Sequence, residues 1–129
     1  MAQESGRTTG LNYWDDLLTN PGGIYPLTQE ITILSGQNVL RGTVLGKITA
    51  SGKYGKSLSA SADGSEVPAA ILAKDVDATA GDREDGVAYF RGQFNENKLI
   101  LGTAHTISSI KAGLFAKDIV LETTVKSPF

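Results

Sequence analysis

Residues 28–34 (TQEITIL), followed by 35–38 (SGQN), decide the fold class of this chain. Polar and apolar side chains alternate in 28–34, which is the pattern of a strand with one buried face. The four residues 35–38 favour a turn, and Val39 and Leu40 begin a second strand. The folded part of the chain therefore begins with two short strands joined by a turn.

The chain that follows continues in short β-favouring runs separated by turn residues. Further strands are predicted at 43–49, 68–73, 87–91, 98–101 and 119–121. Residues 53–66 are predicted to be a surface loop with a weak strand at its start, and 79–86 a polar turn. This rhythm of short strands is typical of a small, mostly β domain.

One segment breaks the β rhythm. Within residues 106–117 the apolar side chains Ile107, Ile110, Leu114 and Phe115 fall on one face of a helix. His105, Thr106 and Ser108 are all candidate caps at its start. The sequence therefore predicts an α+β fold, mostly β, with one amphipathic helix near the C-terminus.

Length and composition exclude several classes of protein. The 129 residues suit one compact domain, and 12 Lys and Arg against 14 Asp and Glu give a net charge of −2 with mixed signs. We therefore expect no nucleic-acid partner and no membrane partner. The chain has no cysteine, which excludes disulfide scaffolds and thiol catalysis. The first ten residues have no apolar core, so we expect no signal peptide or transmembrane span.

The first 26 residues differ in composition from the rest. They are polar, contain one apolar cluster around Trp14 and end near the breaker run at 20–23 (NPGG). We predict a flexible N-terminal arm over residues 1–26 and a folded domain over 27–129. An inert tail is one interpretation of the arm. A segment that becomes ordered on a partner is the other, because an aromatic anchor needs a surface that buries it.

No motif for catalysis, metal or cofactor binding is complete. His105 is the only histidine and has no triad spacing, and residues 75–81 begin like a calcium loop but lack its turn glycine. Two phosphate-loop imitations, at Gly46 and Gly55, also fail. Lys74 weakly suggests the modified lysine of a carrier hairpin. We predict no enzyme activity, no cofactor and no metal, and a lipoyl-like carrier or other small β-sandwich binding module stays as the alternative.

Several runs, in order, resemble the head decoration proteins of tailed bacteriophages, the lambda protein D family. The runs that carry the resemblance are 35–38 (SGQN), 40–49 (LRGTVLGKIT), 62–65 (ADGS), 70–73 (AILA), 75–81 (DVDATAG), 91–95 (RGQFN) and the predicted helix 106–117. The resemblance covers about residues 27–121. It implies a β-sandwich or β-tulip-like domain without enzymatic activity.

The resemblance also implies a role. Members of the family are homotrimers that bind the major capsid protein at threefold and local threefold points on the outside of the expanded head, after assembly in the host cytoplasm. Their N-terminal arms become ordered on the capsid, often by adding a strand. By position, the arm residues expected to contact the capsid are Trp14, Ile24, Tyr25, Pro26 and Leu27, with residues 28–33 as further strand-forming candidates.

Overall fold

The computed structural model describes residues 17–19 and 25–122. The strands are β1 Leu27–Ile33, β2 Asn38–Val39, β3 Val44–Lys47, β4 Tyr54–Lys56, β5 Pro68–Leu72, β6 Val76–Asp77, β7 Arg83–Asn95 and β8 Ile119–Glu122, and the helix α1 is Ile107–Phe115. The predicted fold class, mostly β with one C-terminal helix, is confirmed. In these two described ranges no helix is long and apolar enough to cross a bilayer.

Five of the strands form a closed ring. The larger sheet has the order β1-β4-β3-β5-β7-β8, and β1 also pairs with β7. The ring β1-β4-β3-β5-β7 is therefore a small barrel, and β8 extends β7 outside it. The short strands β2 and β6 pair separately as a two-stranded sheet. Closure leaves few open edges within the described part of the chain.

The long strand β7 organises the domain because it changes partners along its length. Its first part pairs antiparallel with β1, from Ile33 opposite Arg83 to Leu27 opposite Arg91. Its last four residues pair in parallel with β8. Gly92 lies at the change, with a φ of 145° that favours glycine. Its backbone N–H donates to Asp118, at the turn that leads into β8.

The core has two apolar clusters that follow from the sequence periodicity. One lies inside the barrel and includes Ile31 and Ile33, which are spaced two apart on one face of β1. The other lies under the helix, where Ile110 and Leu114 are four apart on one face of α1 and pack near Phe94. Ile71 of β5 belongs to this second cluster and its neighbours Ala70 and Leu72 to the first, so α1 packs on the face of β5 that points away from the barrel interior.

The predicted helix is confirmed and is shorter than residues 106–117. Thr106 is its cap, because the Thr106 hydroxyl accepts a hydrogen bond from the Ser109 backbone N–H at 3.1 Å. The helix ends at Phe115. Three residues later Asp118 has a φ of 68°, which reverses the chain into β8.

Two local predictions are wrong. Residues 98–101 do not form a strand: Glu96–Lys98 is a 3₁₀ turn, and Ile100 makes only an isolated bridge to Thr43. The start of β7, from Arg83, lies in the segment predicted to be a polar turn. Its polar residues form a strand because their backbone groups pair with β1, so tertiary pairing outweighs local propensity.

Candidate functional site

The predicted arm residues lie only partly within the described ranges. Trp14 and Ile24 are outside them. Tyr25 and Leu27 are exposed, with 77% and 47% of their surface accessible, and Pro26 between them is half-buried. The chain therefore presents two apolar side chains to solvent at the entry to β1, where a partner can cover them.

Residues 28–33, the further strand-forming candidates, lie in the folded domain and not in the arm. They belong to β1, which pairs along β7 within the same chain and contacts β4 at Ile33 opposite Tyr54. Ile33 is fully buried. The β7-facing edge of β1 is therefore not available to the capsid, whereas on its other edge β1 pairs with β4 only at Ile33.

The structure also anchors residues 17–19 to the folded body. The Asn95 backbone N–H donates to the Leu17 carbonyl at 2.7 Å, and the Thr19 N–H donates to Gln93 at 3.0 Å. Leu18 bridges Phe94, and Leu17 is 1% exposed in the cluster under the helix. Sequence reasoning assigned these residues to the arm. The sequence signal is the pair of leucines at 17 and 18, which belongs to the apolar cluster of the predicted arm.

The run 40–49, which is one of those that carry the family resemblance, contains Arg41, whose hydrogen bonds connect three segments of the chain. The Arg41 guanidinium donates to the Ala73 carbonyl at 2.8 Å and to the Tyr89 hydroxyl at 3.0 Å. The Arg41 backbone N–H donates to the Asp75 carboxylate at 2.7 Å. One side chain thus connects the loop after β2 to β7 and to the segment after β5, which indicates a role in stability.

His105 contacts a serine, but the arrangement is not that of a catalytic base. The Nε2 atom of His105 lies 3.1 Å from both the Ser57 hydroxyl and the Glu66 carbonyl. The Ser57 hydroxyl donates its proton to the Ser65 carbonyl at 2.7 Å. A carbonyl only accepts, so Nε2 carries a proton and donates. His105 therefore cannot accept the Ser57 proton at this nitrogen, and the cluster holds the 57–66 loop to the start of α1.

The family comparison agrees with this structural picture. A profile for bacteriophage lambda head decoration protein D matches residues 10–117, most of the 129-residue chain. The chain belongs to the bacteriophage lambda head decoration protein D family. No curated protein sequence matches it. As a head decoration protein it binds the phage capsid and is part of the virion, which confirms the resemblance drawn from the sequence.

The matched range covers all described elements of this decoration protein except β8. It includes Trp14, the anchored segment 17–19, the barrel and α1, and it ends at Lys117. The strand β8, from Ile119, lies beyond it.

The aspartates of the run 75–81 accept hydrogen bonds from backbone N–H groups of the same chain. The Asp77 carboxylate accepts from the backbone N–H of Thr79 at 3.0 Å and from the Thr79 hydroxyl, and these bonds lower the pKa of Asp77. Asp75 accepts from Arg41. Over residues 17–19 and 25–122 no group of three or more His, Cys, Asp or Glu side chains is placed to hold a metal ion.

The structure does not place Lys74 where a carrier lysine would be. Carrier domains present that lysine at the tip of a hairpin, whereas Lys74 joins β5 of the larger sheet to β6 of the smaller one. Its neighbour Ala73 is fully buried and donates its N–H to Val87 at 2.8 Å. Lys74 is itself half-buried. The carrier alternative therefore has no support in the geometry.

The two incomplete phosphate-loop motifs, at Gly46 and Gly55, also lie on strands. Gly46 is in β3 and Gly55 is in the neighbouring β4, directly opposite each other in the ladder. A Cβ at Gly46 would overlap the carbonyl oxygen of Ser65, so glycine is needed there for close packing of the loop. Neither glycine starts a helix, and so neither forms the anion-binding loop that the motif requires.

Exposed ion pairs surround the start of β7. The Lys53 ammonium lies 2.6 Å from the Asp82 carboxylate, and Arg83 lies 2.7 Å from Asp85. The hydrogen bond from Lys53, together with one from the Ser35 backbone N–H, lowers the pKa of Asp82. These charges neutralise one another locally, in keeping with the net charge of −2.

Proposed function

We propose that this decoration protein binds as a homotrimer at threefold and local threefold sites on the outer surface of the expanded phage head, where it strengthens the shell against the pressure of packaged DNA. Membership of the head decoration family carries the proposal. The major capsid protein is the partner. Mass action supplies the stabilisation, because a ligand that binds only the expanded shell favours that state.

Attachment is assigned to the N-terminal arm. Leu17 is fixed to β7, so the 16 residues before it start from an anchored point and can reach roughly 50 Å when extended. Trp14 is the proposed aromatic anchor of the arm, and Ile24, Tyr25, Pro26 and Leu27 are proposed as a second capsid contact. The exposure of Tyr25 and Leu27 supports this assignment.

Three arms on one trimer would act together. Once one arm is bound, the other two meet the capsid at a high effective concentration, so modest affinity for each arm becomes strong attachment. An arm that becomes ordered only on the capsid gains main-chain hydrogen bonds there. The role is structural and not enzymatic, in keeping with the hydrogen bonds that already occupy Ser57 and His105.

Co-sedimentation with phage heads tests the proposal. The purified protein is mixed with expanded, undecorated heads of its own phage and, in parallel, with unexpanded precursor heads. We expect saturable binding to expanded heads only, at three copies for each threefold site, and a solution mass three times the 13.6 kDa of one chain. Binding to neither shell by the folded protein would overturn the capsid role, and a monomeric mass would overturn the trimer.

Variants separate the arm from the rest of the protein. Deletion of residues 2–16 keeps the Leu17 anchor, so we expect a folded protein that binds heads much more weakly, because only the contact at residues 24–27 remains. Trp14→Ala and Tyr25→Ala are expected to weaken binding at least about tenfold, as loss of an aromatic anchor does. Val67→Ala is the matched control, because Val67 is 52% exposed and lies far along the chain from the arm. Full binding by the deletion variant would exclude residues 2–16 as an attachment segment and leave the family role intact.

A further inference from the structure

The barrel is closed between β1 and β4 by one pair of residues, Ile33 opposite Tyr54. Before Ile33, β1 pairs with no described residue on that edge. The edge is uncovered because residues 48–53, which precede β4, form the hairpin loop that joins it to β3, with the Ile48 N–H donating to the Lys53 carbonyl at 2.8 Å. An unpaired strand edge of this kind is a template for an added strand.

Backbone donors point toward this open edge at regular intervals. The Leu34 N–H donates to the Tyr54 carbonyl at 2.9 Å, so Leu34 directs its N–H to the β4 side. Alternate residues of a strand direct their backbone groups to the same edge. The N–H groups of Glu30 and Thr32 therefore face the open edge, where they can donate to an incoming strand.

A cleft of about 420 Å³ lies along the open edge, and we call it the β1 cleft. Residues 29–32 line one side of it, and Tyr54 and Phe90 contribute aromatic rings. These two rings meet edge to face with their centroids 6.0 Å apart, and Ile31 beside them is buried. An apolar side chain that enters the cleft is therefore removed from water against an apolar surface.

The charged side chains of the β1 cleft are mainly acidic. Glu30 and Glu84 are both exposed, and neither forms an ion pair with another described residue. Lys47 is the only cationic side chain among the residues that line the cleft. The unpaired carboxylates favour a partner that carries a basic side chain at this point.

The open edge is continuous with the exposed residues at the entry to β1. Leu27 is the first residue of the strand and is 47% exposed, and Tyr25 just before it is 77% exposed. A partner that covers these two side chains is therefore already beside the open edge. Backbone donors, an apolar cleft and exposed apolar side chains on one continuous surface are typical of a binding site for an extended segment.

We propose that an extended segment of the major capsid protein adds as a strand to the open edge of β1. Its backbone accepts hydrogen bonds from Glu30 and Thr32, an apolar side chain enters the β1 cleft, and a basic side chain lies beside Glu30 and Glu84. Successive side chains of a strand point to opposite faces, so a segment in which an apolar and a basic residue are adjacent satisfies both contacts. This inference rests on the proposed attachment to the major capsid protein, and it adds the folded domain to the arm as a second point of contact.

Amide hydrogen exchange of the full-length protein, free and bound to expanded heads, tests the proposal without any substitution. We expect exchange of the Glu30 and Thr32 amides to slow at least about tenfold on the heads, seen as about two additional protected amides in a peptide that covers residues 27–34. The peptide that covers β8, residues 119–122, is the internal comparison, because β8 pairs only with β7 among the described residues.

The outcomes separate this inference from the capsid role. Binding to heads without added protection in 27–34, or with protection in 119–122 alone, would overturn the inference and leave the capsid role intact. Protection of Glu30 and Thr32 already present in the free protein would also overturn it, because the edge would then be covered within the protein itself. Failure to co-sediment with expanded heads would overturn the capsid role and this inference with it.

Substitutions of Glu30 distinguish the contribution of the charge from that of the backbone. Glu30→Gln removes the charge, and we expect it to weaken binding to heads about two- to fivefold. Glu30→Pro also removes the outward N–H and keeps the N–H groups that face β7, so we expect binding at least about tenfold weaker than that of Glu30→Gln. Glu66→Gln is the matched control, because it removes the same charge outside the cleft and its amide oxygen can still accept from the Gly64 N–H. Equal binding by folded Glu30→Pro and Glu66→Gln proteins would overturn the proposal.

Discussion

The Asn95 backbone N–H donates a 2.7 Å hydrogen bond to the carbonyl oxygen of Leu17, across more than seventy positions of sequence. This bond fixes the N-terminal segment to the end of β7, beside the strand pair that β7 makes with β8. The Leu17 side chain is buried in the cluster under α1. The proposed capsid arm therefore begins from the core of the domain and not from a loose end.

Leu17→Ala is expected to destabilise the domain by about 2–5 kcal/mol, because it removes a buried side chain and leaves a cavity. Leu40→Ala is the matched control, since Leu40 is 50% exposed, and it is expected to change stability by less than about 0.5 kcal/mol. Urea unfolding measures both. Equal stability of the two variants would mean that residues 17–19 do not belong to the core.

Gly46→Ala is expected to destabilise the barrel by about 1–3 kcal/mol, because the added Cβ overlaps the backbone carbonyl of Ser65. The loop has to move away from β3 to admit it. Gly81→Ala is the control, since a Cβ there meets nothing within 4 Å. Thermal unfolding of the two variants checks the difference, and a Gly46→Ala protein as stable as Gly81→Ala would contradict the close approach.

Arg41→Met is expected to cost about 1–3 kcal/mol, because the Ala73 carbonyl and the Tyr89 hydroxyl each lose a donor in a partly buried site. Arg41→Lys should recover only part of this, because an ammonium cannot reproduce the planar fork of the guanidinium. Arg91→Met, at an exposed position of β7, is the control. Denaturant unfolding of all three variants measures their free energies of unfolding. Equal values for Arg41→Met and Arg91→Met would contradict the stabilising role of Arg41.

Stability is expected to fall in acid. Hydrogen bonds from Ser65, Thr79, Lys53 and Arg83 lower the pKa of Asp63, Asp77, Asp82 and Asp85, respectively, from an ordinary value of 3.8. A carboxyl whose pKa is lower in the folded state stabilises it above about pH 4, and this contribution is lost as the pH falls through the folded-state pKa.

Thermal unfolding measured from neutral pH downward checks this expectation. We expect a flat melting temperature above about pH 5 and a decrease below about pH 4. Asp82→Asn should lower the melting temperature at neutral pH and make the acid decrease shallower, because its carboxylate no longer pairs with Lys53. An identical decrease in this variant and in the unchanged protein would show that Asp82 does not contribute.

Much of the fold could be predicted from local pattern. The alternation in 28–34 predicted β1, and the spacing of Ile110 and Leu114 predicted α1. The short segment 98–101 was predicted wrongly, since Lys98 ends a 3₁₀ turn and Ile100 forms only an isolated bridge to Thr43 instead of a ladder. The polar start of β7 was missed because its strand state comes from pairing with β1.

Less of the candidate site than of the fold could be predicted from the sequence. Tyr25 and Leu27 are exposed as a partner contact requires, whereas residues 28–33 are used within the barrel. Leu17 looked like part of a polar arm because nothing near it in sequence shows what buries it. Its partners lie on β7 and in the helix cluster, far along the chain.

By itself, the sequence determined the fold class, the helix and the family of this protein, because side-chain periodicity and ordered motifs are local properties of the chain. The tertiary structure alone decided where β7 changes partners at Gly92, that Leu17 is part of the core, and that the outer edge of β8 has no strand partner among the described residues. These features depend on contacts between segments remote in sequence, and a local pattern records that a side chain is buried but not which segment buries it.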